Sequence, residues 1–264
     1  MNTGAPMILV AQVSDTHFDL GTRNTERAQR VMAYLADLRR RPDVIVVTGD
    51  ITDSGKPEQY AEARMSLQAD LPVLAIPGNH DERAAFREVL LSGSPSDDPV
   101  NQVHRVGGLT LILLDSSVPG QSGGRLSDET YDWLDDTLAA TAPDAAVLLA
   151  LHHPPVFLHS PIVDTIALDE PERLAAVITG DRRIIGTLAG HAHTAGVSTF
   201  AGKPLLIGPS TASVLGGEWE LAPPERVMDY GPDPSVALHV IDDDHRLITH
   251  FRSVPMGGWI ASPY

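Results

Sequence analysis

Short apolar runs alternate with stretches of helical periodicity along most of the chain. The runs are bounded by polar or turn-forming residues, which is typical of buried strands. They read MILVAQV, DVIVV, PVLAI, LTLILL, AAVLLAL and RRIIGTLA. Between them, the pattern predicts helices over residues 25–41, 58–70, 127–140 and 170–178, and another beginning near residue 82. This alternation predicts an α/β fold with parallel strands.

Two of these predicted helices carry signals at their ends. Residues 25–41 end in a basic run before Pro42, which suits the negative end of a helix dipole. Ser127 is a predicted N-cap for the helix over residues 127–140. The predicted inward stripe of that helix is Tyr131, Leu134 and Leu138.

The C-terminal part of the chain is richer in strand signals. GVSTFAGKPLLIGPST and SVALHVIDDDHRLITHF predict two hairpins, with turns at Gly202 and at residues 243–244. Residues 215–235, rich in Pro and Gly, predict a long surface loop. We expect one domain over residues 1–264, with a core over about 7–212 and a C-terminal loop and hairpin over about 213–254.

Composition and charge restrict the function classes. The absence of cysteine excludes disulfides, thiolate metal sites and cysteine nucleophiles. A net charge of −16 argues against binding to a nucleic-acid polymer or to an anionic membrane. Gln12 and Ser14 interrupt the first apolar run, so it predicts a strand and not a signal peptide, and no run reaches transmembrane length. We therefore expect a cytoplasmic protein.

Polar residues follow five of the predicted strands, where a parallel sheet binds its ligands. They are Asp15 and His17; Asp50 and Asp53; Asn79, His80 and Asp81; His152 and His153; and His191 and His193. Imidazole and carboxylate without thiolate favour manganese, iron or zinc. One metal ion does not need seven protein ligands, but two ions that share a bridging carboxylate do. Such pairs of ions catalyse in-line displacement reactions at phosphorus.

These motifs, in this order, resemble those of the calcineurin-like metallophosphoesterases. The family pattern D-x-H, G-D-x-x-D, G-N-H-D, a strand ending in His, and G-H-x-H stands here as DTH, GDITD, GNHD, LHHPP and GHAH. The resemblance covers about residues 10–210. The HHPP form and the short chain are most similar to bacterial class III cyclic nucleotide phosphodiesterases and their glycerophosphodiesterase relatives. The resemblance implies a four-layer α-β-β-α sandwich with two mixed sheets.

The resemblance also implies roles for single residues. One metal ion would be held by Asp15, His17, Asp50 and His193, and the second by Asp50, Asn79, His152 and His191. Asp50 would bridge the ions, which could be Mn²⁺, Fe²⁺ or Fe³⁺, or Zn²⁺. A metal-bridging hydroxide would attack the phosphodiester in line, and His80 would steady the phosphorane and protonate the leaving alkoxide.

The outer residues of these motifs are open to more than one interpretation. We expect His152 to be the ligand in LHHPP, since neighbours in a strand face opposite sides, with His153 turned away or lining the pocket. Asp53 and Asp81 are expected to orient ligands, or else to cap a turn or helix. His104, His239, His245 and His250 are expected to be surface or packing residues, whereas His159 follows HHPP in a loop where a substrate could pass.

The implied substrate is a small phosphodiester, first of all a 3′,5′-cyclic nucleotide such as cAMP. A glycerophosphodiesterase or a promiscuous phosphoesterase is the alternative, and a homodimer is possible. We expect pocket walls from residues 18–24, 156–166 and 214–230. A remoter alternative is a serine hydrolase, because GQSGG fits G-x-S-x-G at Ser122. The remaining alternative is a non-catalytic scaffold with the same fold, which would be expected to have lost metal ligands.

Overall fold

The computed structural model describes residues 7–220 and 228–257. One large sheet contains β1 (Ile8–Val13), β2 (Val44–Thr48), β3 (Val73–Ile76), β12 (Ser235–Ile241) and β13 (Leu247–Ser253). Its strand order is β13-β12-β1-β2-β3. The first three run parallel, whereas β12 and β13 are antiparallel to their neighbours, so the sheet is mixed.

The second large sheet contains β4 (Gln102–Val106), β5 (Leu109–Leu113), β6 (Ala146–Ala150), β7 (Ile184–Ala189), β8 (Gly196–Phe200) and β9 (Lys203–Ile207). Its strand order is β4-β5-β6-β7-β9-β8. The central strands are parallel and the two edge strands antiparallel. A separate two-stranded ladder joins β10 (Val214–Leu215) and β11 (Met228–Asp229).

Helices cover the outer face of each sheet. They are α1 (Thr22–Asp37), α2 (Pro57–Ser66), α3 (Arg83–Ala85) with a π-helical turn (Phe86–Leu90), α4 (Asp128–Ala139), a 3₁₀ turn (Val163–Thr165) and α5 (Pro171–Gly180). Core contacts place α1 and α2 on the first sheet, and α4 and α5 on the second. The predicted four-layer α-β-β-α sandwich is therefore confirmed.

Burial on both faces explains the continuous apolar runs in the central strands. In β1, Val10 belongs to the core between the sheets, whereas its neighbour Ala11 belongs to the core beneath the helices. In β6, Leu148 and Leu149 divide in the same way. Successive side chains of a strand point to opposite faces, so a strand between two apolar layers needs apolar residues throughout.

The helix-end predictions have mixed outcomes. Ser127 is the N-cap of α4, and its hydroxyl accepts a hydrogen bond from Thr130 N at 3.1 Å. The predicted basic end of α1 is wrong, because this helix ends at Asp37, before the arginine run. Arg40 instead forms an ion pair with Asp43 at 2.8 Å in the turn leading to β2.

The predicted turns of both hairpins are confirmed, since β8 joins β9 at Gly202 and β12 joins β13 through residues 242–246. The predicted loop over residues 215–235 is wrong in part, because it contains β11, which pairs with β10. Residues 221–227 of that loop lie outside the described residues. Among the helices described, none is both long enough and apolar enough to span a membrane.

Candidate metal centre

All seven residues predicted as metal ligands meet at one edge of the sandwich. They follow β1, β2 and β3 of the first sheet and β6 and β7 of the second. The residues are Asp15, His17, Asp50, Asn79, His152, His191 and His193. All but the half-buried Asn79 are buried. Burying this many ionisable groups in one place is costly unless they are paired or hold a cation.

The backbone at this edge is left-handed and not extended. Positive φ angles, from 45° to 68°, occur at Asp15, His17, Asp50, His191 and His193. Such angles are uncommon outside glycine and cost about 1–3 kcal/mol each, and they concentrate at functional sites. Residues two apart in a strand share a face, so the spacing of His191 and His193 predicts that both imidazoles converge from one strand face. That reason is wrong. They follow β7 in a bend, and the bend itself turns both imidazoles inward.

One half of the centre contains a carboxylate and two imidazoles around Asp50. The Nε2 atoms of His17 and His193 lie 3.1 Å apart. Asp50 Oδ2 lies 3.6 Å from His17 Nε2, and Asp15 Oδ1 lies 3.7 Å from His193 Nε2. These four side chains offer ligand atoms close enough to surround one ion.

The other half is built on the second oxygen of Asp50. Its Oδ1 lies 3.4 Å from His152 Nε2. Asn79 Oδ1 and His191 Nδ1 each lie 3.2 Å from that same nitrogen. Asp50 thus contributes one oxygen to each half, and the two histidines of GHAH lie in different halves.

Outer contacts fix the ring orientation of the inward histidines. His152 Nδ1 lies 2.7 Å from the carbonyl oxygen of Thr48, which can only accept, so this nitrogen carries the proton. In the neutral ring, the Nε2 lone pair then points into the centre. His193 Nδ1 is likewise held by Ser213 Oγ at 2.8 Å, a contact that the sequence reasoning did not find.

Gly49 allows this packing because it lacks a side chain. Its φ is +89°, and a Cβ at this position would overlap the imidazole of His152. Only glycine combines that backbone conformation with so close an approach. The glycine that precedes Asp50 in GDITD is therefore required by the position of His152.

His153 lies beside the second half, where one of its ring nitrogens is within 4.8 Å of ring nitrogens of His152 and His191. Its Nδ1 is 2.8 Å from Ser116 Oγ, and its Nε2 is 3.2 Å from the carbonyl oxygen of Ser122. Both ring nitrogens thus have protein partners. The strand argument used to separate the two histidines is wrong, since they follow β6 in a bend and their rings touch.

The serine-hydrolase alternative has no support in this geometry. Ser122 is exposed on a loop before α4, and its backbone carbonyl, not its hydroxyl, faces His153. A nucleophile elbow requires the serine at a sharp turn between a strand and a helix.

Asp81 ties together the two loops that carry Asp50 and Asn79. Its carboxylate accepts hydrogen bonds from the backbone N–H groups of Ile51, Thr52 and Gly78 at 2.9–3.0 Å, and from two hydroxyls. Asp53 contacts the outside of the centre, with Oδ1 3.6 Å from His17 Nδ1. Both carboxylates contact the ligand-bearing loops from outside, the position expected of orienting residues.

The electrostatics of the centre favour a bound positive charge. Burial raises the pKa of Asp15 to about 6. Burial opposes protonation of His152, but Asp50 and Asp15 outweigh it and raise its pKa to about 9. Burial would raise the pKa of Asp50, yet the surrounding imidazoles hold it well below its usual range. Burial, with neighbouring imidazoles, lowers the pKa of His191 and His193 to about 3, so these two rings are neutral lone-pair donors.

These residues fit a pair of metal ions. The buried Oδ2 atom of Asp15 has no hydrogen-bond partner, which is costly for a carboxylate oxygen unless a cation meets it. The facing Nε2 atoms of His17 and His193 also require a positive charge between them, because two lone pairs repel unless a proton or a cation lies between them. The N and O donor set, without sulfur, suits manganese, iron and zinc.

A cavity of about 370 Å³ opens above the centre. Its walls come from the three predicted segments, through residues such as Arg23, Ile162 and Tyr230. His80 lines it and is exposed. Of the histidines outside the motifs, His239 is buried and packed, His104 is half-buried on β4, and His245 and His250 are exposed, as expected. His159, in the loop after HHPP, is exposed and does not line the cavity.

Two adjoining N,O clusters that share a carboxylate, at the strand ends of a four-layer sandwich, define a dinuclear metallophosphoesterase. The comparisons with known proteins agree with that class. The chain belongs to the calcineurin-like phosphoesterase family, whose pattern matches residues 8–195.

Three similar proteins illustrate the relationship. A probable cyclic nucleotide phosphodiesterase of Rhodococcus erythropolis is 40% identical over 219 residues, covering 78% of this chain and 71% of the relative. The glycerophosphodiester phosphodiesterase GpdQ of Enterobacter lignolyticus is 34% identical over 77% of each chain. A dimetal phosphatase from Danio rerio, 16% identical, shares the fold with a TM-score of 0.60, over 94% of this chain and 99% of that one.

Proposed function

We propose that this chain is a metal-dependent phosphodiesterase that hydrolyses a small phosphodiester, in the first place a 3′,5′-cyclic nucleotide such as cAMP. The observation that carries the proposal is the position of Asp50, whose two oxygens face two separate clusters at the base of the cavity. The similarity to the Rhodococcus cyclic nucleotide phosphodiesterase supports the substrate class.

In this proposal, Asp15, His17, Asp50 and His193 hold one ion, and Asp50, Asn79, His152 and His191 hold the other. Manganese, iron and zinc are the candidate ions, given the donor set. Bound there, such ions would polarise the phosphoryl oxygens and lower the pKa of a bound water to yield the nucleophile. The protein's own part is to hold the ligands in place through Thr48, Ser213 and Asp81.

His80 supplies the proton to the leaving alkoxide. Its Nδ1 donates to the carbonyl oxygen of Asp53 at 2.8 Å, which leaves Nε2 as the nitrogen available to the cavity. Its ring lies against that of His17, with the centroids 4.8 Å apart, so that as an imidazolium, with a second proton taken from solvent on Nε2, it would donate this proton to the alkoxide and return to the neutral ring. A positioned imidazole of this kind raises hydrolysis rates by about 10²–10⁴-fold.

A glycerophosphodiester is the second candidate substrate, because the chain is 34% identical to a GpdQ protein along most of its length. The cavity, at about 370 Å³, is within the usual range for small-molecule sites and accommodates either compound. A homodimer, a cytoplasmic location and a single domain over residues 1–264 stay predictions of the sequence.

The test is hydrolysis by chelator-stripped protein before and after addition of manganese. The substrates are bis(p-nitrophenyl) phosphate, p-nitrophenyl phosphate, cAMP and a glycerophosphodiester. We expect activity only with the metal, preference for diesters over the monoester, and turnover of cAMP. Metal-loaded protein that binds two ions and hydrolyses none of these diesters would overturn the proposal, in favour of a scaffold.

A further inference from the structure

Arg23 and Tyr230 form a stacked pair at the wall of the cavity. The guanidinium carbon of Arg23 lies 4.9 Å from the centroid of the Tyr230 ring. Its Nη2 also donates a hydrogen bond to the Tyr230 carbonyl oxygen at 2.6 Å. Tyr230 is nevertheless 56% exposed, so much of its ring remains available to a ligand.

Hydrogen bonds fix this pair relative to the metal centre. Arg23 Nη1 donates to Asn24 Oδ1 at 2.9 Å, and Asn24 Nδ2 donates to the carbonyl oxygen of His17 at 2.7 Å. One turn further along α1, Arg27 Nη2 donates to the carbonyl oxygen of Pro232 at 2.8 Å. The backbone around Tyr230 is thereby held, and the stacked guanidinium holds the ring before a ligand arrives, which lowers the entropic cost of binding.

The rest of the cavity wall is mainly apolar beyond the metal centre. It includes Ile162, Val163, Ile166, Leu215 and Met228. Among the described residues that line the cavity, Arg23 is the only arginine or lysine. A cavity lined by a phenol ring that stacks on a guanidinium, and by several aliphatic side chains, suits a flat heterocycle and offers little to a polyhydroxylated glycerol.

We propose that Tyr230, positioned by Arg23, is the platform on which the base of a nucleotide substrate stacks while its phosphate lies at the metal centre. This inference rests on the proposed phosphodiesterase function and deepens it. It assigns the preference for cyclic nucleotides over glycerophosphodiesters to one ring. Stacking reads the planar face of a base, so adenine and guanine nucleotides are both accepted.

The experiment compares Tyr230→Leu, Tyr230→Phe and Arg23→Gln with the parental enzyme, all loaded with manganese. The matched control is Trp219→Leu, which removes an exposed aromatic ring that does not line the cavity. Values of kcat and KM are measured for cAMP and for sn-glycero-3-phosphoethanolamine, which has no ring. Binding of AMP is measured separately by calorimetry.

We expect Tyr230→Leu to lower kcat/KM for cAMP by about tenfold, chiefly through KM, and to weaken AMP binding by a similar factor. Arg23→Gln shows a smaller change of the same kind. Tyr230→Phe and Trp219→Leu stay within about twofold of the parent, and the glycerol substrate is unaffected throughout.

Two outcomes would overturn the inference. Either Tyr230→Leu leaves cAMP turnover and AMP binding unchanged, or it lowers turnover of both substrates equally. Failure of the proposed function looks different, because the parental enzyme then hydrolyses no diester. In that case the inference still stands or falls on AMP binding: a loss of binding in Tyr230→Leu supports the platform, and unchanged binding refutes it.

Discussion

Asp50 directs one carboxylate oxygen, Oδ1, at the Nε2 atom of His152, 3.4 Å away. Its other oxygen lies 3.6 Å from His17 Nε2, in the opposite half of the centre. A third contact comes from the backbone N–H of His80, which donates to Oδ1 at 3.0 Å. One buried side chain therefore connects both clusters with the loop that supplies the proton donor.

Replacing Asp50 tests this connection. We expect Asp50→Asn to bind fewer ions than the parent and to lose more activity than the roughly 100-fold that removal of an outer supporting residue causes. The matched control is Asp19→Asn, which changes a carboxylate that lines the cavity outside both clusters. Metal content after dialysis and hydrolysis of bis(p-nitrophenyl) phosphate are the measurements. An Asp50→Asn protein with parental ion content and rate would contradict the bridging role.

His80→Ala separates proton transfer from metal binding. We expect two ions to remain bound, while cAMP hydrolysis falls by about 10²–10⁴-fold. The loss with bis(p-nitrophenyl) phosphate is much smaller, because p-nitrophenolate leaves without being protonated. His159→Ala, which removes an exposed imidazole from a neighbouring loop, leaves both rates unchanged. Equal losses with the two leaving groups would show that His80 does not act as the acid.

Asp81→Asn tests the link between the GDITD and GNHD loops. The amide would turn an N–H₂ group toward donors such as Ile51 N and Gly78 N, leaving buried groups unpaired. We expect the free energy of unfolding to fall by about 2–3 kcal/mol and the ion affinity to fall by about 10–100-fold. Urea denaturation and metal titration measure the two effects.

Tyr60→Phe provides a graded comparison at the same carboxylate. It removes one of the donors to Asp81, a hydroxyl at 3.0 Å that also accepts a hydrogen bond from Glu82 N at 2.7 Å, and it keeps the ring that packs on Phe86. The expected loss in the free energy of unfolding is about 1–2 kcal/mol, with little change in ion affinity. If Asp81→Asn were no more harmful than Tyr60→Phe, the carboxylate would not be what links the loops.

The alternation of strands and helices, and the gathering of Asp, Asn and His at the strand ends, could be predicted from sequence because both leave local signals, whereas the order of the strands within each sheet was not predicted. An apolar run that ends in Asp-x-His is visible in a few residues, and parallel strands bring such ends to one edge. The backbone conformation was not predictable in this way. Asp15 and His191 adopt positive φ angles, which their residue types alone do not predict. The arguments from alternating strand faces therefore failed, although the ligand residues do converge.

Contacts between distant parts of the chain were also beyond sequence reasoning. Arg23 meets the carbonyl oxygen of Tyr230 across 207 residues, and Ser213 meets His193 from a loop with no motif. Thr48 supports His152 through a backbone carbonyl, which carries no residue-specific signal at all. Such contacts depend on how the two sheets pack, and periodicity describes only each element alone.

His239 makes the acid stability of the fold testable. In β12 its Nε2 donates to Gln12 Oε1 at 3.1 Å, and its Nδ1 accepts from the hydroxyl of Thr249 at 2.8 Å. Gln12 in turn donates to Thr48 Oγ1 and to the carbonyl oxygen of Ala189, so the ring belongs to a buried polar link between the two sheets. Burial lowers the pKa of His239 to about 3.

The sign of the pH effect follows from that shift. The unfolded chain binds a proton at this histidine below a pKa of about 6.5, while the folded protein does not until about pH 3. Stability therefore falls as the pH falls from about 6.5 toward 3, by about 1.4 kcal/mol per pH unit for this group. With the metal ions removed by a chelator, the His239→Gln protein should show a difference in unfolding free energy between pH 7 and pH 5 that is smaller than the parent's by about 2 kcal/mol. The control is His250→Gln, an exposed change on the neighbouring strand, which should leave the difference in unfolding free energy as in the parent. If His239→Gln also left that difference unaltered, the His239 ring would not be the acid-sensitive group.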